Sequence, residues 1–198
     1  LCFMLAMTPA CAQNGGKNYF PLADGAKWDY VGNFSTASGK QFSVHMTSRV
    51  EGETLINGKR YFKFVTMSDF SGVPEVGRQI EDVRYYRVGK DGIYVRPGSD
   101  TDKPELLEMP TPIPIDVKWL SGATEVRAEH VGNIKVNSHE YMDCLKVTYK
   151  MADGVKVTEN YLAPGVGIVK VLYVNTTKPQ STGELMLERY TFDMPKAR

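Results

Sequence analysis

The sequence is short of cysteine, of long hydrophobic runs and of excess charge of either sign. Of its three cysteines, Cys2 and Cys11 fall in an apolar leader, which leaves Cys144 alone in the remainder. No internal disulfide can form from one thiol, so the fold must rest on a hydrophobic core. At 198 residues the chain can build that core as a single domain. After residue 12 no stretch approaches the roughly 20 apolar residues that a spanning helix needs. Lys plus Arg number 24 against 23 Asp plus Glu, and no basic run is present to neutralise phosphates. Nucleic acid is therefore not an expected partner. Motifs that carry chemistry are scarce as well. There is no CxxC, no HExxH and no G-x-S-x-G elbow, and the closest pair of histidines, His130 and His139, is too widely spaced for chelation from one strand. No catalytic, metal or cofactor residue is expected, and the chain reads as a non-enzyme.

The first twelve residues show where the protein is expected to go. Leu1 to Met7 is uncharged and apolar, and Ala10-Cys11-Ala12 precedes polar Gln13-Asn14-Gly15-Gly16. Small residues at Ala10 and Ala12 fit signal-peptidase cleavage before Gln13. Pro9-Ala10-Cys11 also partly fits a lipobox, in which Cys11 would be lipidated and kept. Both routes stay open. Either one makes residues 1–12 a signal-peptide remnant, 13–18 a flexible linker and 19–198 the folded domain, exported to the periplasm or the outer membrane. Contact with a membrane is expected only through that anchor.

The domain itself alternates with period two. Phe42, Val44, Met46, Ser48 and Val50 share one face of a strand, with Ser43, His45, Thr47 and Arg49 on the other. Leu145, Val147, Tyr149 and Met151 repeat the pattern. Asn57-Gly58 between two apolar pairs predicts a hairpin, because both residues tolerate positive φ. Lys90-Asp91-Gly92, Ala152-Asp153-Gly154 and Pro164-Gly165-Val166-Gly167 read as further turns. The rhythm predicts about ten to twelve strands and no long helix. The fold class is mostly β, a single curved antiparallel sheet or half-open barrel. The stretch Arg96 to Asp116, with five prolines, reads as a crossover loop. Phe20-Pro21-Leu22 before Lys27-Trp28 is weakly echoed by Ile113-Pro114-Ile115 before Lys118-Trp119; the alternatives are coincidence and two half-domains that each tuck a Trp under the sheet.

Tyr19-Phe20-Pro21-Leu22, Ile56-Asn57-Gly58-Lys59, Tyr85-Tyr86-Arg87-Val88, Asp143-Cys144-Leu145-Lys146-Val147 and Tyr161-Leu162-Ala163-Pro164-Gly165 follow one another in a recognisable order. In this order the chain resembles a group of bacterial exported domains of TapB-like and lipoprotein type, over residues 19–175. The resemblance implies a curved sheet similar to lipoprotein-carrier folds and brings no catalytic residue. It departs at Ile113 to Val117, where similar proteins have a glycine-containing turn. Aromatics are the remaining feature. Phe62, Phe64, Tyr85, Tyr86, Tyr149 and Tyr161 are candidate linings of a groove, against plain core packing as the alternative. Tyr85 and Tyr86 must split between faces. The expected function is a binding module for a lipid-like, apolar ligand or an envelope partner. The alternatives are an anchored outer-membrane accessory and, least favoured, a hydrolase using Glu129, His130, His139 and Glu159.

Overall fold

A computed structural model describes residues 13–14, 16–70, 72–73, 79–98, 103–177 and 180–192. The cleavage and lipidation residues Ala10, Cys11 and Ala12 lie outside them. The strands are β1 (Gln13–Asn14), β2 (Lys17–Asn18), β3 (Lys27–Ser35), β4 (Gln41–Ile56), β5 (Lys59–Asp69), β6 (Gln79–Val88) and β7 (Gly92–Pro97). They continue as β8 (Leu106–Pro110), β9 (Lys118–Ser121), β10 (Thr124–Val136), β11 (His139–Lys150), β12 (Lys156–Ala163), β13 (Gly167–Asn175) and β14 (Ser181–Thr191). Among the described residues there is no helix. Twelve strands form one antiparallel sheet in the order β8-β7-β6-β5-β4-β3-β14-β13-β12-β11-β10-β9. This is an up-and-down meander curled almost into a barrel, in which β3 pairs with β14 and only β8 and β9 fail to pair. The half-open barrel read from the sequence is therefore the fold.

Two readings need adjustment. The segment 13–18 is not simply a linker, because β1 and β2 pair and Lys17 reaches Asp143 at 2.9 Å. The proline-rich stretch read as a loop begins inside β7 and contains β8; Pro97 and Pro110 stand at strand ends, where a missing N–H is tolerated.

The half-domain echo extends well beyond the two tryptophans. Gly52 sits at positive φ in the bulge of β4, and Gly132 does so in the bulge of β10. Asn57 (φ 50°) and Asn137 (φ 54°) turn the next hairpins, and buried Tyr61 and Tyr141 follow. These three pairs keep one common spacing in the sequence, so β4–β5 and β10–β11 are the same supersecondary unit used twice. Strand β9, with four residues, is the shortened counterpart of nine-residue β3.

The interior is filled unevenly. At one end Tyr19–Ala26 folds under the sheet as a plug, with Tyr19, Leu22 and Ala26 buried. Tyr19 Oη donates to the Asp143 carbonyl (2.8 Å), and Trp28 Nε1 donates to the Val166 carbonyl (2.7 Å). The Phe20 ring lies 5.0 Å from Tyr86 and 6.4 Å from Phe64. Gly167, at φ 93°, leaves room for Pro21, whose Cδ would stand 3.3 Å from any added Cβ. The Pro164–Gly167 turn is thus shaped to receive the plug. Ile113, in the β8–β9 connection, is buried, and Ile115 bridges Ala128 in parallel. Asp116 takes φ 60° there, a left-handed conformation that aspartate visits more readily than most side chains. Among the described residues, the opposite end stays open.

Candidate functional site

Side chains on the inner face of β6 alternate with those outside, and the inner ones are Asp82, Arg84 and Tyr86. Ionised groups are costly inside a barrel unless water or a partner reaches them. Arg84, on this inner face, keeps 47% of its side chain exposed. The solvent it meets fills a cavity of about 500 Å³ at the open end of the barrel. That volume lies within the range of small-ligand sites. Its walls come from β6 to β13, so the cavity is centred on the unpaired seam between β8 and β9.

Polar groups converge on one side. Arg84 Nε donates to Asp82 Oδ2 at 2.7 Å. Glu108, from β8, crosses the seam twice: its carboxylate accepts from Ser121 Oγ (3.1 Å) and its carbonyl from Trp119 Nε1 (3.2 Å). The facing wall carries a lateral row. Tyr149 on β11 and Tyr173 on β13 are both in register with Thr158 on β12, and Asn160 is the next inward residue of β12. Burial, and then the nearby Glu108 carboxylate, push the Tyr149 and Tyr86 phenols up, so both stay protonated donors. Val95, Leu106 and Met151 supply apolar lining. The site therefore offers donors, acceptors and apolar surface together.

The six candidate groove aromatics separate. Tyr149 lines the cavity, whereas Tyr86, two residues along β6 from Arg84, is buried in the core. Phe62 and Phe64 pack with the core, Phe64 against Trp28 (5.8 Å between ring centroids) and Tyr86 (5.5 Å). Tyr85 takes the opposite face from Tyr86, in register with Lys63 and Arg96. Tyr161 sits in an ion-pair row, its hydroxyl 3.3 Å from Glu159 and its ring under Lys170. Of the acids and imidazoles grouped as a hydrolase set, Glu129 and Glu159 share Lys146, at 2.8 and 3.9 Å. His130 is exposed beside the β10 bulge, and His139 lies against Tyr141 at the hairpin end. Cys144 is buried, and that burial pushes its thiol up to about 11, the opposite of an activated nucleophile. Read from the sequence, Asp82 and Glu108 are ordinary solvent-face charges, Tyr173 is one of many aromatics able to line the concave face, and Arg84 carries no signal; distant strands bring them together.

Outside the barrel, Glu105 forms a second cluster just before β8. Its carboxylate accepts from Arg87 Nε (3.1 Å) and Nη2 (2.7 Å), from Lys59 Nζ and from Tyr61 Oη. Paired foremost with Arg87, and against the effect of burial, it is held down to about 2. With every oxygen engaged, this cluster clamps the loop leading into β8 to β5 and β6.

No protein family matches the sequence, and no curated protein matches it. Several solved structures are similar in shape. One is a protein proposed to be exported, with a YmcC-like fold, from Bacteroides fragilis: TM-score 0.45 and 13% identity over 89% of this chain and 100% of that one. A second is a proposed lipoprotein from Parabacteroides distasonis, with TM-score 0.47 and 12% identity over 88% and 99%. A third is a DUF1329 family protein from Desulfovibrio piger, with TM-score 0.29 and 11% identity over 88% of each chain.

Proposed function

We propose that this domain is a non-catalytic binding module of the bacterial envelope that takes one small amphipathic ligand into the seam-side cavity. The observation that carries this reading is the cavity itself, a space of about 500 Å³ in which polar groups from β6 and β8 stand with Tyr149 and Tyr173 of β11 and β13 and with apolar Val95, Leu106 and Met151. Such mixed linings suit ligands with an apolar body and a polar head. Export through the leader and the TapB-like order of sequence motifs belong to the same reading. Calorimetric titration with short-chain alkyl amphiphiles below their micelle concentrations tests it. One-site binding is expected, and Thr158→Trp, which fills the space between the two tyrosines, is expected to abolish it. Binding that persists in a folded Thr158→Trp protein counts against the cavity.

A second reading, an anchored accessory that docks an envelope protein, draws on the outer side of the seam. Val117 and Leu120 are 58% and 67% exposed beside the free edge of β9. Mass spectrometry of the mature N-terminus separates the two: a chain beginning at Gln13 favours the soluble carrier, and acylated Cys11 favours the accessory.

A further inference from the structure

We propose that the polar end of the cavity's ligand is an uncharged polyhydroxylated group, of glycosyl or glycerol type, held between the Tyr149–Thr158–Tyr173 row and the Asp82–Arg84–Glu108 wall. This names the ligand class of the cavity reading and rests on it.

Charge comes first. Among the described residues, the cavity lining carries two carboxylates, Asp82 and Glu108, and two cations, Arg84 and Lys156. An anionic head would meet the two carboxylates, and a cationic head would meet the guanidinium and ammonium. Either would bury a charge with at least as much repulsion as attraction, which is unfavourable away from bulk water. A neutral group loses nothing on this account.

Hydrogen-bonding capacity then narrows the class. Asp82 and Glu108 only accept, and the Arg84 guanidinium only donates. A hydroxyl does both, so neighbouring hydroxyls on one ligand can donate to the carboxylates while accepting from the guanidinium. An ether, which only accepts, leaves the carboxylates without a donor. Arg84 is oriented for the role, since its Nε is already fixed on Asp82 and its side chain remains half open to the cavity.

The facing wall supplies shape. Adjacent strands lie about 4.8 Å apart, so Tyr149 and Tyr173, flanking β12, are rooted about 10 Å apart with the short Thr158 between them. That row makes a slot floored by a hydroxyl and sided by two phenols. A compact ring with C–H faces and equatorial hydroxyls fits such a slot, whereas a bare alkyl chain leaves the polar wall unsatisfied.

The test is calorimetry on the full domain with n-octyl β-glucoside, octanoate and octyltrimethylammonium, which share a tail length, and with free glucose. Octyl glucoside is expected to bind at least about tenfold more tightly than either charged amphiphile. Glu108→Gln is expected to weaken it about tenfold, the loss of one hydrogen bond to a charged group. Tyr173→Leu, which leaves the seam intact, should weaken it too and guards against misfolding of the first variant. Free glucose binding as tightly as octyl glucoside identifies a free sugar as the source, and weaker glucose binding identifies a glycolipid-like head; both support the hydroxyl recognition. Tighter binding of octanoate or of the ammonium overturns this inference but leaves the cavity reading standing. Absence of binding by every amphiphile overturns both. Octyl glucoside binding that neither substitution changes overturns the assigned seat.

Discussion

Between β3 and β14 the barrel closes by a backbone ladder nine residue pairs long, whereas between β8 and β9, which follow one another in the chain, no ladder forms. Both joints also carry a carboxylate that reaches across. At the first, Asp29 on β3 accepts from Arg189 Nε on β14 (2.9 Å) and from Thr47 on β4 (2.9 Å). At the second, Glu108 accepts from Ser121. The ladder draws the strands together, with Trp28, Tyr30 and Leu187 buried along it. The side-chain joint holds its strands farther apart and leaves its acid facing inward. The cavity lies where the sheet stops pairing. The reason is length: β9 has four residues and β8 five, with Pro110 and Pro112 closing off further pairing.

The first way to break this contrast is at Gly32, opposite Leu185. A Cβ there would collide with the Glu184 carbonyl and come within 2.8 Å of the Leu185 Cα, both backbone atoms. Gly32→Ala is expected to cost about 3 kcal/mol or more in urea unfolding, since the ladder cannot yield without parting. Loss of less than about 1 kcal/mol would mean that this joint is loose as well.

Acid comes next, through Glu105 at the threshold of β8. Its carboxyl is held below its unfolded value of 4.5, down to about 2, so the ionised form favours the folded state. That contribution is fully present above about pH 4.5 and disappears as pH falls through 2. It amounts to on the order of 3 kcal/mol. Stability measured across this range should fall more steeply in the wild type than in Glu105→Gln. Equal slopes would show that the clamp carries no net stability.

Asp29→Asn should matter less. Burial raises the Asp29 pKa, but hydrogen bonds from Lys27, Thr47 and Arg189 outweigh it and leave it lowered. Removing the charge is expected to cost about 1 kcal/mol in the same assay, because the ladder survives. The smallest effect belongs to the seam. Ser121→Ala should cost under about 1 kcal/mol while making the Trp119 indole more accessible to acrylamide quenching. Unchanged quenching would mean that Ser121 does not hold the joint.

Much of the architecture was legible because strand alternation is local. The runs in β4 and β11, the Asn57-Gly58 hairpin and the splitting of Tyr85 from Tyr86 each depend only on neighbours in the chain. Strand β8 was not legible, since five residues between prolines carry too little pattern. The extent of the half-domain repeat was hidden too: Gly52 and Gly132 look unrelated until both are seen to bulge at positive φ. The cavity was the least visible feature. Tyr149 stood out as an inward aromatic, but Asp82, Arg84 and Glu108 lie on two other strands, and nothing in their local sequence marks them.

By itself the sequence determined that this chain would be a β protein, with an inward and an outward face on each strand. Only the tertiary structure decided which inward faces meet, which end of the barrel is plugged by Tyr19–Ala26 and which stays open. Side-chain direction is set within one strand by the pleat. Strand order, closure and leftover space depend on contacts between residues more than a hundred positions apart, which no local pattern encodes.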